Sequence, residues 1–385
     1  MSKAYSAKLI DATAQLSRWM RTQSLPLWWQ VGRLNNGAFL EGLTMSGHPL
    51  PTRESRIRVQ GRQLFCFASA MNAGWETDGL RQGLSISLDH LLHCGLRDDG
   101  VAGHKINIDQ STLVDRRGDL YDTAFFLLAL AECTESFGIE RTQQGITKVL
   151  SGIDNVLAYA DDGVGYRERL PAPGIREQNP HMHLFEALLR LYDATRDPAV
   201  AIRINQLLAS IDSLFFDHEQ DCISEHWNAG RRDNHFEPGH SMEWVWLLGY
   251  YARLFDTPMQ PFANRLYNRC IDQAMPEGQM PQIVTHGGRV TDASRKIWSQ
   301  TEALKAHLCM LELGDPEFAS DYQNRATECA NTMFADFLTH CEVGGGWLNH
   351  FTADAILISE MMPASTGYHL YYAIHELQRV RESVR

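Results

Sequence analysis

The dominant period along this chain is helical, and its apolar residues gather in compact blocks. Leu64-Phe65-Cys66-Phe67-Ala68, Ala124-Phe125-Phe126-Leu127-Leu128-Ala129-Leu130, Leu184-Phe185-Glu186-Ala187-Leu188-Leu189 and Ala303-Leu304-Lys305-Ala306-His307-Leu308 read as helix bodies. Between them lie more polar, amphipathic segments, such as 199–215 and 316–337. Residues 1–20 form another, with Lys3, Lys8, Asp11 and Arg18 set among apolar neighbours. Strand signals are thin. The best is 282–290, where Gly287-Gly288 offers a two-residue hairpin turn.

The blocks repeat. Polar residues near their starts, Arg62, Asp122, His183, Glu243, Glu302 and His369, follow one another at intervals of about sixty residues. A unit of that length holds two helices and their loops, and such units bury their faces by stacking or closing into a ring. Six helical pairs predict a closed barrel with apolar helices inside and amphipathic ones outside. The polar anchors would then share a pocket at one end. The expected fold class is all-α with little strand, as one catalytic domain over residues 1–385.

Composition narrows the class. The chain has 385 residues, of which 44% are hydrophobic and 21% charged, as in an ordinary globular protein. A net charge of -12 argues against nucleic acid or an anionic membrane surface as partner. No apolar run reaches transmembrane length and residues 1–20 do not resemble a signal peptide, so a cytoplasmic location is expected. The eight cysteines lack short metal-binding spacings and read as free thiols. Phosphate-loop and dinucleotide fingerprints are missing, and Gly163-Val164-Gly165 is too little to stand for one.

Candidate chemistry concentrates on histidines. In Glu237-Pro238-Gly239-His240-Ser241-Met242-Glu243-Trp244, the Pro-Gly pair marks a helix start. His240 and Glu243 then share a face, so Glu243 is expected to hold His240 by a hydrogen bond and raise its basicity. His183 and His369 sit at similar helix starts far away in sequence. The loop Cys341 to His350 sets three glycines beside Trp347, and Glu225 to Arg232 is similar in character; both read as ligand or packing loops. Tyr121 and Trp298 are equally readable as core aromatics, Arg62 as an ion-pair partner, and Asp119 and Asp122 as helix caps. The i, i+3 spacing of His240 and Glu243 would suit a metal, yet no second carboxylate pair accompanies it.

Several longer motifs run in order over nearly the whole chain. They are Arg58-Val59-Gln60-Gly61-Arg62-Gln63, Asp119 through Phe125, Asn179-Pro180-His181-Met182-His183, Glu237 through Trp244, Trp298-Ser299-Gln300-Thr301-Glu302 and Pro363 through His369. In these the chain resembles the N-acylglucosamine 2-epimerase family, and within it the bacterial aldose–ketose isomerases. The resemblance implies an (α/α)6 barrel, no metal and no other cofactor. It also implies that His240 and His369 act as acid and base, with His183 a third pocket histidine. Arg62 and Asn179 would bind substrate, and Tyr121, Trp298 and Glu302 would line the pocket.

That chemistry is sound in outline. An open-chain aldose carries a weakly acidic C2 proton, and a histidine is well matched to lift it at neutral pH. Its return to C1 gives the ketose, whereas delivery to the opposite face of C2 gives the epimer. The expected activity is interconversion of D-mannose and D-fructose, or related aldoses such as lyxose. The alternative is a 2-epimerase acting on mannose/glucose or N-acylglucosamine. The partner is a monosaccharide, and the protein is expected as a monomer or homodimer.

Overall fold

A computed structural model describes residues 3–159, 164–172, 174–228 and 230–384. Met1 and Ser2 of the amphipathic start, Gly163 of the glycine pair and Ala229 of the 225–232 segment lie outside the described residues. The α-helices are α1 (Ala7–Trp19), α2 (Leu25–Gln30), α3 (Ile57–Asn72), α4 (Leu80–Cys94), α5 (Leu120–Phe137), α6 (Ile139–Gly152) and α7 (Gln178–Thr195). They continue with α8 (Pro198–Phe215), α9 (Pro238–Phe255), α10 (Pro261–Ile271), α11 (Ile297–Leu313), α12 (Ala319–Thr332) and α13 (Ala364–Ser383).

Helices α3, α5, α7, α9, α11 and α13 each pack on the next, and α13 returns to α3. That closes an inner ring. Helices α4, α6, α8, α10 and α12 pack outside it, and α1 lies against α12 and α13 to complete the outer layer. The division follows from side-chain pattern. Helix α5 is buried on nearly every side, whereas α6 buries a single stripe including Gly145, Ile146 and Val149. Helices α8, α9 and α10 begin at Pro198, Pro238 and Pro261, where a missing N–H leaves no hydrogen bond unmade. Gly61 lets α3 approach α5 closely, because a Cβ there would strike the Phe125 carbonyl.

The repeat has an internal register. Arg62, His183, Glu243, Glu302 and His369 are each the sixth residue of their inner helix. Asp122 is out of phase, being third in α5, and the sixth position there belongs to Phe125. The layer at the pocket floor is therefore built from Arg62, Phe125, His183, Glu243, Glu302 and His369.

Loops join neighbouring units at the same end. The first amides of α3, α5, α7, α11 and α13 donate to the carbonyls of His104, Glu168, Glu225, Asn349 and Glu41 at 2.9–3.1 Å. Helix α9 starts with Pro238 and has no amide to give. Three of these glutamates also reach forward. The carboxylates of Glu41, Glu168 and Glu225 accept the backbone N–H of Arg56, Glu177 and Glu237, each just before the next inner helix. Orphan amides at the helix starts are thus satisfied from adjacent units.

The expected hairpin is present as Ile283–Thr285 paired antiparallel with Val290–Asp292. Its loop is His286-Gly287-Gly288 rather than two residues, with Gly288 at φ +85° and Thr285 bonded to Arg289. A three-residue loop of this kind needs glycine at its left-handed position. No helix among the described residues is long and apolar enough to cross a membrane. The eight cysteines are free, all but Cys341 buried.

Candidate active site

Inner helices of one ring run parallel, so their N-termini gather at one end and leave positive partial charge there. Residues in the first two turns project into this end. His240, the third residue of α9, and His369 on α13 both lie against the indole of Trp298, with ring centroids 5.0 and 5.9 Å away. His183 joins the same layer through Tyr121 and Phe125, at 5.0 and 4.6 Å.

Each imidazole is anchored through Nδ1 to a buried carboxylate. His240 Nδ1 lies 2.9 Å from Glu225 Oε2, His369 Nδ1 2.8 Å from Glu302 Oε1, and His183 Nδ1 2.9 Å from Glu186 Oε2. An ionised carboxylate only accepts, so at His240 and His369 the Nδ1–H donates and Nε2 is left as the working atom. The partner of His240 differs from the expected one. Glu225 makes that bond, reaching in from the loop before α9, and Glu243 does not. Position 243 lies one turn deeper in the helix and faces the axis instead.

Glu243 is fully buried with neither carboxylate oxygen hydrogen-bonded. It lies 4.0 Å from His183 Nδ1 and within 4.8 Å of donor atoms of Glu302 and His369. Burial first, and the charge of Glu302 second, push its carboxyl well above the usual range. A neutral acid is the form such a place favours. Glu186, by burial, is raised to about 7, and its other oxygen accepts the Tyr368 hydroxyl.

The two histidines beside Trp298 have opposite electrostatics. Burial alone would discharge His240, but the carboxylates of Glu225 and Glu237 outweigh it and push the imidazole up to about 10. Burial pushes His369 down to about 4, and the charges of Arg62 and Lys305 offset the help of Glu302. Lys305, buried and three residues after Glu302, holds its ammonium 2.5 Å from Glu302 Oε2. His183 is also held well below its ordinary value, by burial first and then by Arg62 and the neighbouring histidines.

A cavity of about 440 Å³ opens at this end, lined by Arg58, Arg62, Tyr121, Asn179 and rim residues from the loops. His240, Trp298 and His369 are not among its lining residues; Arg62, on its wall, packs on Tyr368, whose ring lies against His369. The Arg62 guanidinium donates to the Tyr121 hydroxyl at 2.7 Å and the Ser365 carbonyl at 3.4 Å, stacks on Phe125 at 4.1 Å, and keeps Nε unpartnered. Asn179 Oδ1 is likewise buried without a partner. These are donors and acceptors waiting for a polar ligand.

Other expectations land differently. Trp347 is buried and stacks flat on Trp28 at 4.6 Å, so its loop packs against the N-terminal segment rather than facing the pocket. Glu302 is no lining residue but the anchor of His369. Asp119 caps α5 through the Asp122 amide, while the Asp122 carboxylate serves the Arg58 amide and His104. Histidine–carboxylate groups close enough to share an ion exist here, as at Glu225, Glu237 and His240. In each group one carboxylate bonds a histidine Nδ1, which we read as an orienting pair, whereas Glu237 and Glu243 stand beside these pairs without a hydrogen bond to the imidazole. The 225–232 segment was expected as a ligand or packing loop, not as the source of the His240 anchor, and Lys305 was not expected in the site; loop position hid the first role and an apolar helix the second.

Comparison with known proteins fits this architecture. Residues 37–373 match the model of the N-acylglucosamine 2-epimerase family. The chain is 31% identical to a mannose-6-phosphate isomerase of Rhizobium meliloti (strain 1021), over 94% of this chain and 96% of that one. A crystal structure of D-mannose isomerase superposes with TM-score 0.81 at 19% identity, covering 98% of this chain and all (100%) of that one. Cellobiose 2-epimerase from Spirochaeta thermophila DSM 6192 gives 0.84 at 20% identity, covering 98% of each. The family match and the 31% identical relative define the class, that of sugar isomerases and epimerases, and the (α/α)6 barrel agrees with it. The chain belongs to the N-acylglucosamine 2-epimerase family.

Proposed function

We propose that this protein is a metal-independent aldose–ketose isomerase interconverting D-mannose and D-fructose, its one catalytic domain spanning the chain. The observation that carries the reading is that His240 and His369 both pack on Trp298 and are each anchored through Nδ1 to a buried carboxylate, in surroundings that push one imidazole up and the other down. Two groups pushed apart in this way supply an acid and a base at the same pH. His369, neutral with Nδ1–H on Glu302, takes the C2 proton of open-chain mannose on Nε2. His240, protonated, gives its Nε2 proton to O1 as the enediol forms. His369 then returns its proton to C1 while His240 takes the O2 proton, leaving fructose and both histidines restored.

Arg62 would donate to the enediolate oxygens, where charge exists mainly in the transition state. Asn179 and Tyr121 bind hydroxyls, Trp298 holds a sugar face, and His183 and Glu243 serve oxygens deeper in the pocket. The same histidines would give a 2-epimerase if His240 delivered its proton to the opposite face of C2, and that is the second reading. A free sugar is favoured over a phosphorylated one. The rim arginines Arg56, Arg58, Arg117 and Arg169 already face Glu41, Asp122, Asp115 and Glu177.

The test is NMR of mannose incubated with the protein in D₂O plus chelator. Fructose with exchange at C1 supports isomerisation, and glucose deuterated at C2 supports epimerisation. No change in mannose sinks both. Turnover of mannose 6-phosphate but not mannose would overturn the free-sugar assignment.

A further inference from the structure

Two imidazoles with nearly the same anchor behave oppositely, and the reason lies one turn below the site. Glu225 receives neutral donors besides His240, namely Gln178 Nε2 at 3.0 Å and the Glu237 amide at 3.1 Å. A second carboxylate, Glu237, stands 3.9 Å from His240 Nδ1. Glu302 instead meets the Lys305 ammonium at 2.5 Å. That ammonium is wholly buried, 4.0 Å over the Trp246 ring and 5.1 Å over Tyr372.

We propose that Lys305 is a positioning residue that keeps His369 the neutral base, by cancelling the charge with which Glu302 would otherwise hold a proton on that imidazole. The inference rests on the acid–base reading of His369 given above. A buried ion pair contributes little net stability against well-packed apolar residues, so its presence in an apolar helix calls for another reason. Its place supplies one. Lys305 itself lines neither cavity, and its ammonium pairs with Glu302, whose carboxylate it holds ionised against burial. His369 and its anchor are faced by Arg62 from α3, His183 and Glu186 from α7, Glu243 from α9 and Tyr368 on α13 itself, while Tyr372 lies against Lys305. Of these, Glu243 and Glu186 also feel the ammonium, so its removal takes the countercharge from Glu302 and disposes the other two further toward their neutral acids.

The decisive measurement is the pH profile of kcat/KM for Lys305→Met beside Lys305→Arg. Lys305→Met should move the acidic limb upward by at least about one pH unit and so lower kcat/KM at pH 4 by at least about fivefold, with recovery at higher pH. Lys305→Arg should restore the wild-type profile. A uniform loss across all pH values, or an unmoved limb, overturns the role. Should Lys305→Met fail to fold, NMR titration of labelled histidine in the wild-type protein decides, with the His369 signal identified by its loss in His369→Gln. A neutral His369 at pH 6 supports the inference and a protonated one overturns it. That titration needs no turnover, so it stands even if mannose proves not to be a substrate.

Discussion

Two cavities of similar size mark the two ends of the barrel, about 440 Å³ at the helix N-termini and about 420 Å³ at the C-termini. The second is as charged as the first. There Arg190 pairs with Glu132, Glu135 and Asp193, Arg379 with Glu376 and Glu312, and Arg253 with Glu312. Every buried polar side-chain atom among its described lining residues has a partner, whereas at the first end Arg58, Arg62, Glu168 and Asn179 each leave one unmet. Basic groups at helix C-termini and carboxylate–histidine pairs at N-termini also answer opposite helix dipoles. Neither volume nor charge separates a site from a structural clasp. Between these two cavities, unfinished hydrogen bonding does.

Substitution can break that contrast. His240→Ala and His369→Ala should each lower kcat/KM by about 10²–10⁴ while the fold persists, as read by circular dichroism. Wild-type turnover in either variant would remove its residue from the mechanism. At the other end, Arg190→Met should cost about 3 kcal/mol in denaturant unfolding, because it strands buried Glu132, yet leave kcat/KM of the folded protein unchanged. A large catalytic loss there would put function at both ends.

Smaller effects sharpen the picture. The wild-type kcat/KM profile should be flat between limbs near 4, set by His369, and near 10, set by His240. Glu225→Gln should draw the alkaline limb down toward about 6.5, the ordinary histidine value. If that limb stays put, Glu225 is not what keeps the proton on His240. The same linkage bears on stability. A folded value above the free one means that His240 contributes stability below about pH 6.5, lost as pH rises through its folded value. Glu225→Gln should flatten this decline in melting temperature. The smallest change is expected for Trp347→Phe, about 1 kcal/mol of stability and no shift in KM. A raised KM would return Trp347 to the pocket.

Much of the barrel was legible because a helix buried on all sides has few polar residues, and those few stand out at fixed register. Five of the six anchors fall on one layer for that reason. Asp122 misled because a capping carboxylate lies near a helix start as a pocket residue does. Side chains acting across the ring were hidden. Glu225 lies in a loop with no periodicity to point at His240, and local spacing offered Glu243 instead. Lys305 looked like an isolated charge in an apolar block, since its partners come from other helices. The loop of three glycines beside Trp347 read as a ligand or packing loop, and residues distant in sequence, Trp28 and Gly367, pack on the indole.

The glutamate that binds one inner helix by its carbonyl and the next by its carboxylate has a consequence at position 225. The segment that begins there pairs His226 with Glu177 on the pocket rim, and it also sets how tightly the acid keeps its proton. Redesigning that rim to admit a different sugar would therefore retune the chemistry in the same stroke. Changes of substrate and changes of pH optimum should arrive together in this protein.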